Sequence, residues 1–189
     1  MTIDSLLKLM ASQGNSDYIG EPVSQLQHAL LAARSAEVAG AGETMILAAL
    51  LHDIGHLETI ANPISPGQAM ADLGRFEHEL IGAEMIRSAG LRAEIADLIA
   101  MHVNAKRYLS CVNGSYGENL SKASRKTLVY QGGPMLEPES HQFAQHPLFK
   151  EVLQVRAWDE AAKLEDPSLP EIHKYQAMLR RNLACPLTD

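Results

Sequence analysis

An uninterrupted apolar run at residues 45–51, which ends directly at His52 and Asp53, constrains the fold of this chain most strongly. Good helix formers dominate the run, so it predicts a buried helix that delivers two polar side chains into the interior. Successive helical side chains point about 100° apart, so tandem residues rarely hold one ion together. The aspartate has a second oxygen, however, that can reach a second ion. His56 shares the face of His52 if the helix continues through Gly55. The alternative is a core histidine paired with an aspartate.

Length, composition and charge narrow the class of protein. A chain of 189 residues fits one domain, residues 1–189, and its 46% apolar but only 5% aromatic content favours a helical globule. The formal net charge of -7 argues against partners such as nucleic acid or an anionic membrane. Cys111 and Cys185 are too few for a disulfide framework or a cysteine-rich zinc site. With no signal peptide and no apolar run of membrane-spanning length, these features predict a cytoplasmic protein.

Apolar spacing predicts helices along most of the chain. One begins at Pro22 or Ser24 and stops at Gly40. The others are predicted at residues 3–11, 45–51, 77–89, 92–101, 120–130, 147–159 and 172–183. Residues 57–75 contain two prolines and predict a long loop, which in a compact domain is more often a functional lid than an idle connection. No strand pattern or repeat occurs, so the predicted fold class is all-α.

Histidines and carboxylates recur beside the apolar faces of these helices. Taken singly, each histidine fits a structural role better than a metal-binding one. Taken together, with nearly one per helix, they predict a metal site, because imidazole and carboxylate suit divalent iron, manganese or zinc. The predicted ligands are His28, His52, Asp53, His78, His102 and Asp159. The remaining histidines are expected on the surface: His141, His146 and His173.

The order of these ligands resembles the HD-domain superfamily of helical metalloproteins, in which phosphohydrolases predominate. A finer resemblance, to the mixed-valent di-iron oxygenases that cleave 1-hydroxyphosphonates, lies in several short segments. They are DYIGE (17–21), QLQHAL (25–30), AALLHDIGH (48–56), HVNAKRYL (102–109), SRKTLVYQGGP (124–134) and RAWDE (156–160). The resemblance covers most of the chain and implies an all-α, HD-domain helical bundle with two iron ions, Fe2+ and Fe3+.

The resemblance also implies a role for each ligand. One iron would be held by His28, His52, Asp53 and Asp159. Asp53 would bridge to the second iron, which His78 and His102 would hold. The phosphonate group would be bound by His56, Lys106, Ser124 and Arg156. A doubly charged anion in a partly buried site needs such cations and donors, although Lys106 and Arg156 taken alone fit ordinary solvated surface better.

Tyr18 and Glu21 precede the second predicted helix and complete the implied catalytic set with His56. Glu21 lies seven residues before His28, so a helix that begins early would put both on one face. In the resembling oxygenases the tyrosine caps the second iron until substrate arrives, and the glutamate holds the tyrosine. The glutamate would also place a negative charge near the ammonium end of the substrate.

The implied reaction consumes O2 and a small phosphonate, and releases inorganic phosphate and a carboxylic acid. The favoured substrate is (R)-1-hydroxy-2-(trimethylammonio)ethylphosphonate, which would give glycine betaine, because a trimethylammonium group needs only a roomy anionic or aromatic enclosure. The lid residues Met70, Asp72 and Phe76 could supply it. The alternatives are the 2-amino compound, which would give glycine, a di-metal phosphohydrolase, and a non-catalytic HD-fold scaffold.

Overall fold

Helices make up the fold of the computed structural model, which describes residues 1–18, 20–61, 69–70, 73–163 and 168–184. Their bounds are α1 Ile3–Gln13, α2 Gln25–Val38, α3 Glu43–Leu51, α4 Ile54–Ala61, α5 His78–Ser88, α6 Ala93–Val112, α7 Gly114–Asn119, α8 Lys122–Tyr130, α9 Glu137–Ala144, α10 Phe149–Ala161 and α11 Gln176–Arg181. A 3-10 turn at Ile172–Tyr175 leads into α11. The described residues form only isolated β-bridges and no strand, so the all-α prediction is confirmed.

Capping boxes set the starts of the first two helices. The Thr2 side chain accepts a hydrogen bond from the Ser5 backbone N–H, and the Ser5 hydroxyl bonds back to the Thr2 backbone. Ser24 and Gln27 repeat this arrangement at the start of α2. Of the two predicted starting points, the structure therefore selects Ser24 and leaves Pro22 in the preceding turn.

The apolar run at residues 45–51 lies in the core of the molecule. Residues 46–51 of α3 are all buried, and burial of each leucine there contributes about 1.5–3 kcal/mol. α3 packs against α2, α6 and α10, while α5 packs along α6 and against α4. Five helices, α2, α3, α5, α6 and α10, therefore converge on one interior region.

α3 does not continue through Gly55, so His56 does not share a helical face with His52. α3 ends at Leu51, His52 and Asp53 form a turn, and α4 begins at Ile54. The predicted loop at 57–75 is also wrong at its start, because α4 extends to Ala61. The break at residues 52–53 lets the neighbouring side chains of His52 and Asp53 point in different directions.

α6 is longer than predicted and runs past Met101 to Val112. His102 in the middle of α6 and Lys106 one turn later are both buried, so polar residues interrupt the apolar pattern where the helix faces the site. The short helices α7 and α9 were not predicted either. Their sequences are mostly polar, and α9 buries only Ser140 and Phe143.

Some predictions fall on residues that the structure does not describe. Cys185 and the lid residue Asp72 lie outside the described ranges, as do residues 62–68 of the predicted lid. Met70 is described and buried, and the ring of Phe76 lies 5.8 Å from that of Tyr130. Among the described helices, none combines the length and the apolar character needed to cross a membrane.

Candidate metal centre

Six predicted ligands meet where the five central helices converge. α2 supplies a histidine near its start, and the turn after α3 supplies a histidine and an aspartate. The first residue of α5 and the middle of α6 each supply a histidine, and α10 supplies an aspartate. They are His28, His52, Asp53, His78, His102 and Asp159. All are buried except Asp53, whose side chain is 11% exposed. The structure therefore brings together every residue that the sequence predicted as a ligand.

One cluster is formed by His28, His52 and Asp159. The two Nε2 atoms are 3.1 Å apart, and Asp159 Oδ1 lies 3.4 Å from that of His28 and 3.7 Å from that of His52. Three potential ligand atoms thus face one point.

A second cluster is formed by His78, His102 and Asp53. The histidine Nε2 atoms are 3.3 Å apart, and Asp53 Oδ1 lies 3.2 Å from His78 Nε2 and 3.4 Å from His102 Nε2. The other oxygen, Asp53 Oδ2, lies 3.4 Å from His52 Nε2 and 3.8 Å from His28 Nε2. Asp53 therefore divides its two oxygens between the two clusters, which is the arrangement a bridging carboxylate requires.

Backbone carbonyls orient three of the four rings. Each ring places Nδ1 2.8 Å from a carbonyl oxygen, so Nδ1–H donates and the Nε2 lone pair is left for an ion. The pairs are His28 with Ala162, His52 with Ala49, and His102 with Ile99. This is the orientation typical of metal-ligating histidines.

His78 is held differently. Its ring stacks on that of His56, with centroids 3.9 Å apart, and its Nδ1 lies 3.4 Å from Glu79 Oε2 without a hydrogen bond. The preceding residue, Glu77, has a left-handed backbone with φ of 58°. A non-glycine residue in that region is uncommon and marks local constraint at a site. Glu77 thereby turns the chain so that the first residue of α5 enters the centre.

The ionisation of the two carboxylates suits metal binding. Burial favours the neutral form of Asp53, but the neighbouring histidines outweigh it and hold its pKa well below the ordinary value. The pKa of Asp159 is likewise low, because Arg156 outweighs the effect of burial. Burial and the neighbouring His78 lower the pKa of His56, which therefore stays neutral. Both carboxylates are thus available as anionic ligands.

The donor set fits two divalent transition-metal ions. Four imidazole nitrogens and three carboxylate oxygens, without sulfur, suit iron, manganese or zinc. Asp159 Oδ2 pairs with Arg156, whereas Asp159 Oδ1 is buried and accepts no hydrogen bond from any described residue. A buried carboxylate oxygen aimed at two histidines is what a metal ligand would provide. His56 also comes close to Asp53 and His78. Because its ring stacks face to face on that of His78, we regard it as a neighbour of the second cluster and not as one of its ligands.

A small pocket, partly open to solvent, lies directly over the two clusters. Most of the predicted catalytic and substrate-contacting residues line it: Tyr18, Glu21, His56, Lys106, Ser124 and Arg156. Met70 of the predicted lid also lines it, whereas Phe76 does not and packs against Tyr130 instead. Sequence reasoning missed several further lining residues: Gln25, Leu73, Ala123, Thr127 and Gln131. Thr127 and Gln131 lie within the segment 124–134, where they follow Ser124 at helical spacing, and this spacing is the signal in the sequence that could have identified them.

Two buried cations line the pocket. Arg156 donates from Nε to the Tyr116 hydroxyl at 2.7 Å and pairs with Asp159 and Glu160. Lys106 donates from Nζ to Thr127 Oγ1 at 3.0 Å. Burial and the neighbouring Arg156 lower the pKa of Lys106 to about 7. Both side chains are thus buried beside the clusters. The alternative that Lys106 and Arg156 are ordinary solvated surface residues is wrong.

Tyr18 and Glu21 lie in a tight turn rather than on the entrance of a helix. The Glu21 N–H donates to the Tyr18 carbonyl, and α2 begins only at Gln25, so Glu21 and His28 do not share a helical face. The Tyr18 ring stacks on His28 with centroids 3.8 Å apart. Its hydroxyl donates to Asp53 Oδ2 at 2.9 Å, on the side of the first cluster rather than of the second. Burial and the nearby Asp53 raise the pKa of Tyr18, so this hydroxyl keeps its proton.

Comparison with known proteins agrees with this geometry. The HD domain model matches residues 25–159, a span that contains all six predicted ligands. The chain belongs to the HD-domain family. An uncharacterised protein of Acanthamoeba polyphaga mimivirus is 40% identical to this HD-domain protein over 177 residues, which cover 94% of this chain and 80% of that protein.

Two relatives have described activities. The [1-hydroxy-2-(trimethylamino)ethyl]phosphonate dioxygenase (glycine-betaine-forming) of Leisingera caerulea is 38% identical over 169 residues, or 89% of this chain and 84% of the relative. The hydroxymethylphosphonate dioxygenase of Gimesia maris is 37% identical over 173 residues, which cover 92% of this chain and 84% of the relative. The HD-domain protein is thus similar along most of its length to phosphonate dioxygenases.

Proposed function

We propose that this HD-domain protein is a di-iron oxygenase that cleaves the C–P bond of a 1-hydroxyalkylphosphonate. The observation that carries the proposal is the division of the Asp53 oxygens between two histidine pairs, at 3.2–3.4 Å on one side and 3.4–3.8 Å on the other, directly below a pocket with two buried cations. The similarity to two phosphonate dioxygenases supports it.

The chain would hold one ion with His28, His52 and Asp159 and a second with His78 and His102, with Asp53 between them. Bound iron supplies the one-electron chemistry toward O2 that zinc lacks. The reaction balances without another reductant, because a 1-hydroxyalkylphosphonate and one O2 contain the atoms and electrons of one carboxylic acid and one hydrogen phosphate.

The pocket residues would bind and orient the anion. Lys106 and Arg156 supply positive charge, and the hydroxyls of Ser124 and Thr127 lie beside them in the lining. Because these groups lie over the clusters, a bound phosphonate would keep its adjacent carbon near the metal positions. Tyr18, protonated and bonded to Asp53, stands at the same opening and would have to shift when the substrate enters.

The substrate we favour is (R)-1-hydroxy-2-(trimethylammonio)ethylphosphonate, converted into glycine betaine and phosphate. Glu21 places a carboxylate in the pocket lining, and a quaternary ammonium is matched by such a charge without needing a directional acceptor. The Leisingera caerulea relative, whose name describes this chemistry, supports the choice.

One observation favours the 2-amino compound, which would give glycine. Glu21 Oε1 and Gln131 Oε1 are both buried and accept no hydrogen bond from the described residues, and both residues line the pocket. A primary ammonium could donate to both oxygens, whereas a trimethylammonium could not. Hydroxymethylphosphonate, the compound in the name of the Gimesia maris relative, has no cationic group to face Glu21.

The deciding experiment follows O2 with an electrode and phosphate by colorimetry in the iron-loaded protein. We expect one phosphate released for each O2 consumed, and no phosphate in the absence of O2. Phosphate release that continues anaerobically, or that requires a phosphoester, would reject the oxygenase and indicate a di-metal phosphohydrolase. The three phosphonates are compared by kcat/KM in the same assay, and the substrate choice fails on its own if the 2-amino or hydroxymethyl compound is clearly preferred.

A further inference from the structure

Lys163 lies just beyond the C-terminal end of α10, four residues after Asp159. Its side chain is only 13% exposed, although lysine usually extends into solvent. The Nζ atom donates to Glu160 Oε2 at 3.0 Å and to Ser124 Oγ at 3.3 Å. Ser124 is on α8, so this lysine links the end of α10 to a second helix that lines the pocket.

The contact determines how the Ser124 hydroxyl can be used. An ammonium group can only donate, so Ser124 Oγ must accept the hydrogen bond from Lys163. The hydroxyl proton is then left to donate to another group. In the described part of the chain this proton meets no other protein acceptor, and Ser124 lines the pocket. Acceptance from a cation also makes the hydroxyl a stronger donor, because linked hydrogen bonds polarise one another.

Glu160 fixes the lysine in turn. Its Oε2 accepts from Lys163, and its Oε1 pairs with Arg156 Nη2. One carboxylate therefore lies between two cations that would otherwise repel each other. Arg156 and Ser124 both line the pocket, whereas Lys163 and Glu160 stand behind them.

We propose that Lys163, anchored by Glu160, is a positioning residue that turns the Ser124 hydroxyl proton toward the phosphonate. The inference rests on the proposed function, since it assigns the pocket to an anion with phosphate-like oxygens. It predicts that Lys163 acts through Ser124 and not merely through its charge.

The test is a double-mutant cycle in the iron-loaded protein, read out as the Kd of inorganic phosphate by calorimetry. We expect Lys163→Gln to weaken phosphate binding about tenfold, the size of a lost hydrogen bond of ordinary strength. In a Ser124→Ala background the same change should weaken binding less than about twofold, because the group through which it acts is gone. Equal effects of Lys163→Gln in the two backgrounds would overturn the proposal in favour of a general charge effect.

Two further variants distinguish positioning from folding. Lys163→Arg keeps donors for both partners and should bind phosphate within about threefold of the unmodified protein. If it behaves like Lys163→Gln, the donor role is wrong. Lys174→Gln is the matched control, because it removes the same charge from an exposed lysine paired with Glu37 on the surface. It should leave the phosphate Kd unchanged.

Binding and turnover separate the two proposals. Coupling between Lys163 and Ser124 without O2 consumption would reject the oxygenase and keep the anion pocket. Turnover of a phosphonate without coupling would keep the oxygenase and reject the role of Lys163. An unmodified protein that binds no phosphate would overturn the inference directly.

Discussion

Gly55 touches the backbone of His78 so closely that no other residue type fits at that position. A Cβ built on Gly55 would stand 2.0 Å from the His78 carbonyl oxygen and 3.0 Å from the Gly82 nitrogen. α4 therefore packs backbone to backbone on the first turn of α5. The same approach brings the His56 ring onto that of His78. The glycine after the His-Asp pair is thus a packing requirement of the metal centre.

Gly55→Ala should destabilise the protein and disturb the second cluster. Backbone atoms cannot move aside as a flexible side chain would, so we expect a loss of about 3 kcal/mol in the free energy of unfolding. For a chain of this length that corresponds to a Tm lower by roughly 6–12 °C. Calorimetry measures the Tm, and metal analysis should show fewer ions bound.

Gly117→Ala is the matched control for this substitution. Gly117 lies within α7, and a Cβ there would meet nothing within 4 Å. Its Tm should stay constant or rise slightly, because alanine favours a helix over glycine. If Gly55→Ala is as stable as Gly117→Ala and binds metal normally, the close approach of α4 and α5 does not constrain the centre.

Asp53→Asn tests the bridge. The amide keeps the size of the side chain but loses the charge and one oxygen donor, while Asp159 still serves the first cluster. We expect the iron content to fall from two ions per chain to at most one, as measured by elemental analysis. His173→Ala changes an exposed histidine far along the chain and should retain both. Two ions bound to Asp53→Asn would mean that each cluster holds its ion without a shared carboxylate.

The buried Lys106 gives the pocket a pH dependence. Burial and Arg156 lower its pKa to about 7, so above that pH the free protein loses the charge that a phosphonate needs. We expect KM to rise by up to about tenfold per pH unit above pH 7, until binding itself keeps the lysine protonated. Below pH 7, KM reflects the ionisation of the phosphonate. Steady-state kinetics measured across this pH range shows how KM changes above and below pH 7.

The same pKa has a consequence for stability, with a defined sign. The folded pKa lies below the ordinary value of 10.5, so between about pH 7 and pH 10.5 the unfolded chain binds more protons at this lysine. The contribution of Lys106 to the free energy of unfolding therefore rises with pH across that window. Lys106→Arg keeps its charge throughout and should lose the alkaline limb of the KM profile. A limb that persists in Lys106→Arg would assign it to another group.

The six ligands can be proposed from the sequence because each ligand type is rare beside an apolar helix face, and the structure brings their side chains together. His28, His78 and His102 stood out for that reason. Asp53 is predicted as a bridge because a carboxylate has a second oxygen, which can reach an ion that the neighbouring His52 does not touch. In the structure the two Asp53 oxygens face different clusters because the helix breaks after α3, and only tertiary packing determines that break.

The pocket was harder to predict. Tyr116 and Lys163 lie in polar stretches where sequence patterns indicate only surface, and their contacts to Arg156 and Ser124 cross about 40 residues of chain. Long-range polar contacts leave no periodic trace in a sequence. The position of Glu21 was misjudged for a similar reason, since the capping box at Ser24 delays the start of α2.

Glu21→Gln tests which end of the substrate the glutamate recognises. The change keeps the shape of the side chain and removes its charge, in a pocket where a carboxylate oxygen is buried and free of protein hydrogen bonds within the described ranges. A cationic substrate would lose a charge interaction in a partly buried site, where two charges about 5 Å apart interact by about 3 kcal/mol. We therefore expect kcat/KM for the trimethylammonio and 2-amino compounds to fall roughly tenfold to a hundredfold. Hydroxymethylphosphonate has no cation and should be converted at an unchanged or higher efficiency. An equal loss for all three substrates would show that Glu21 serves the reaction itself, for example by holding the turn that carries Tyr18, and would remove the argument for a cationic substrate.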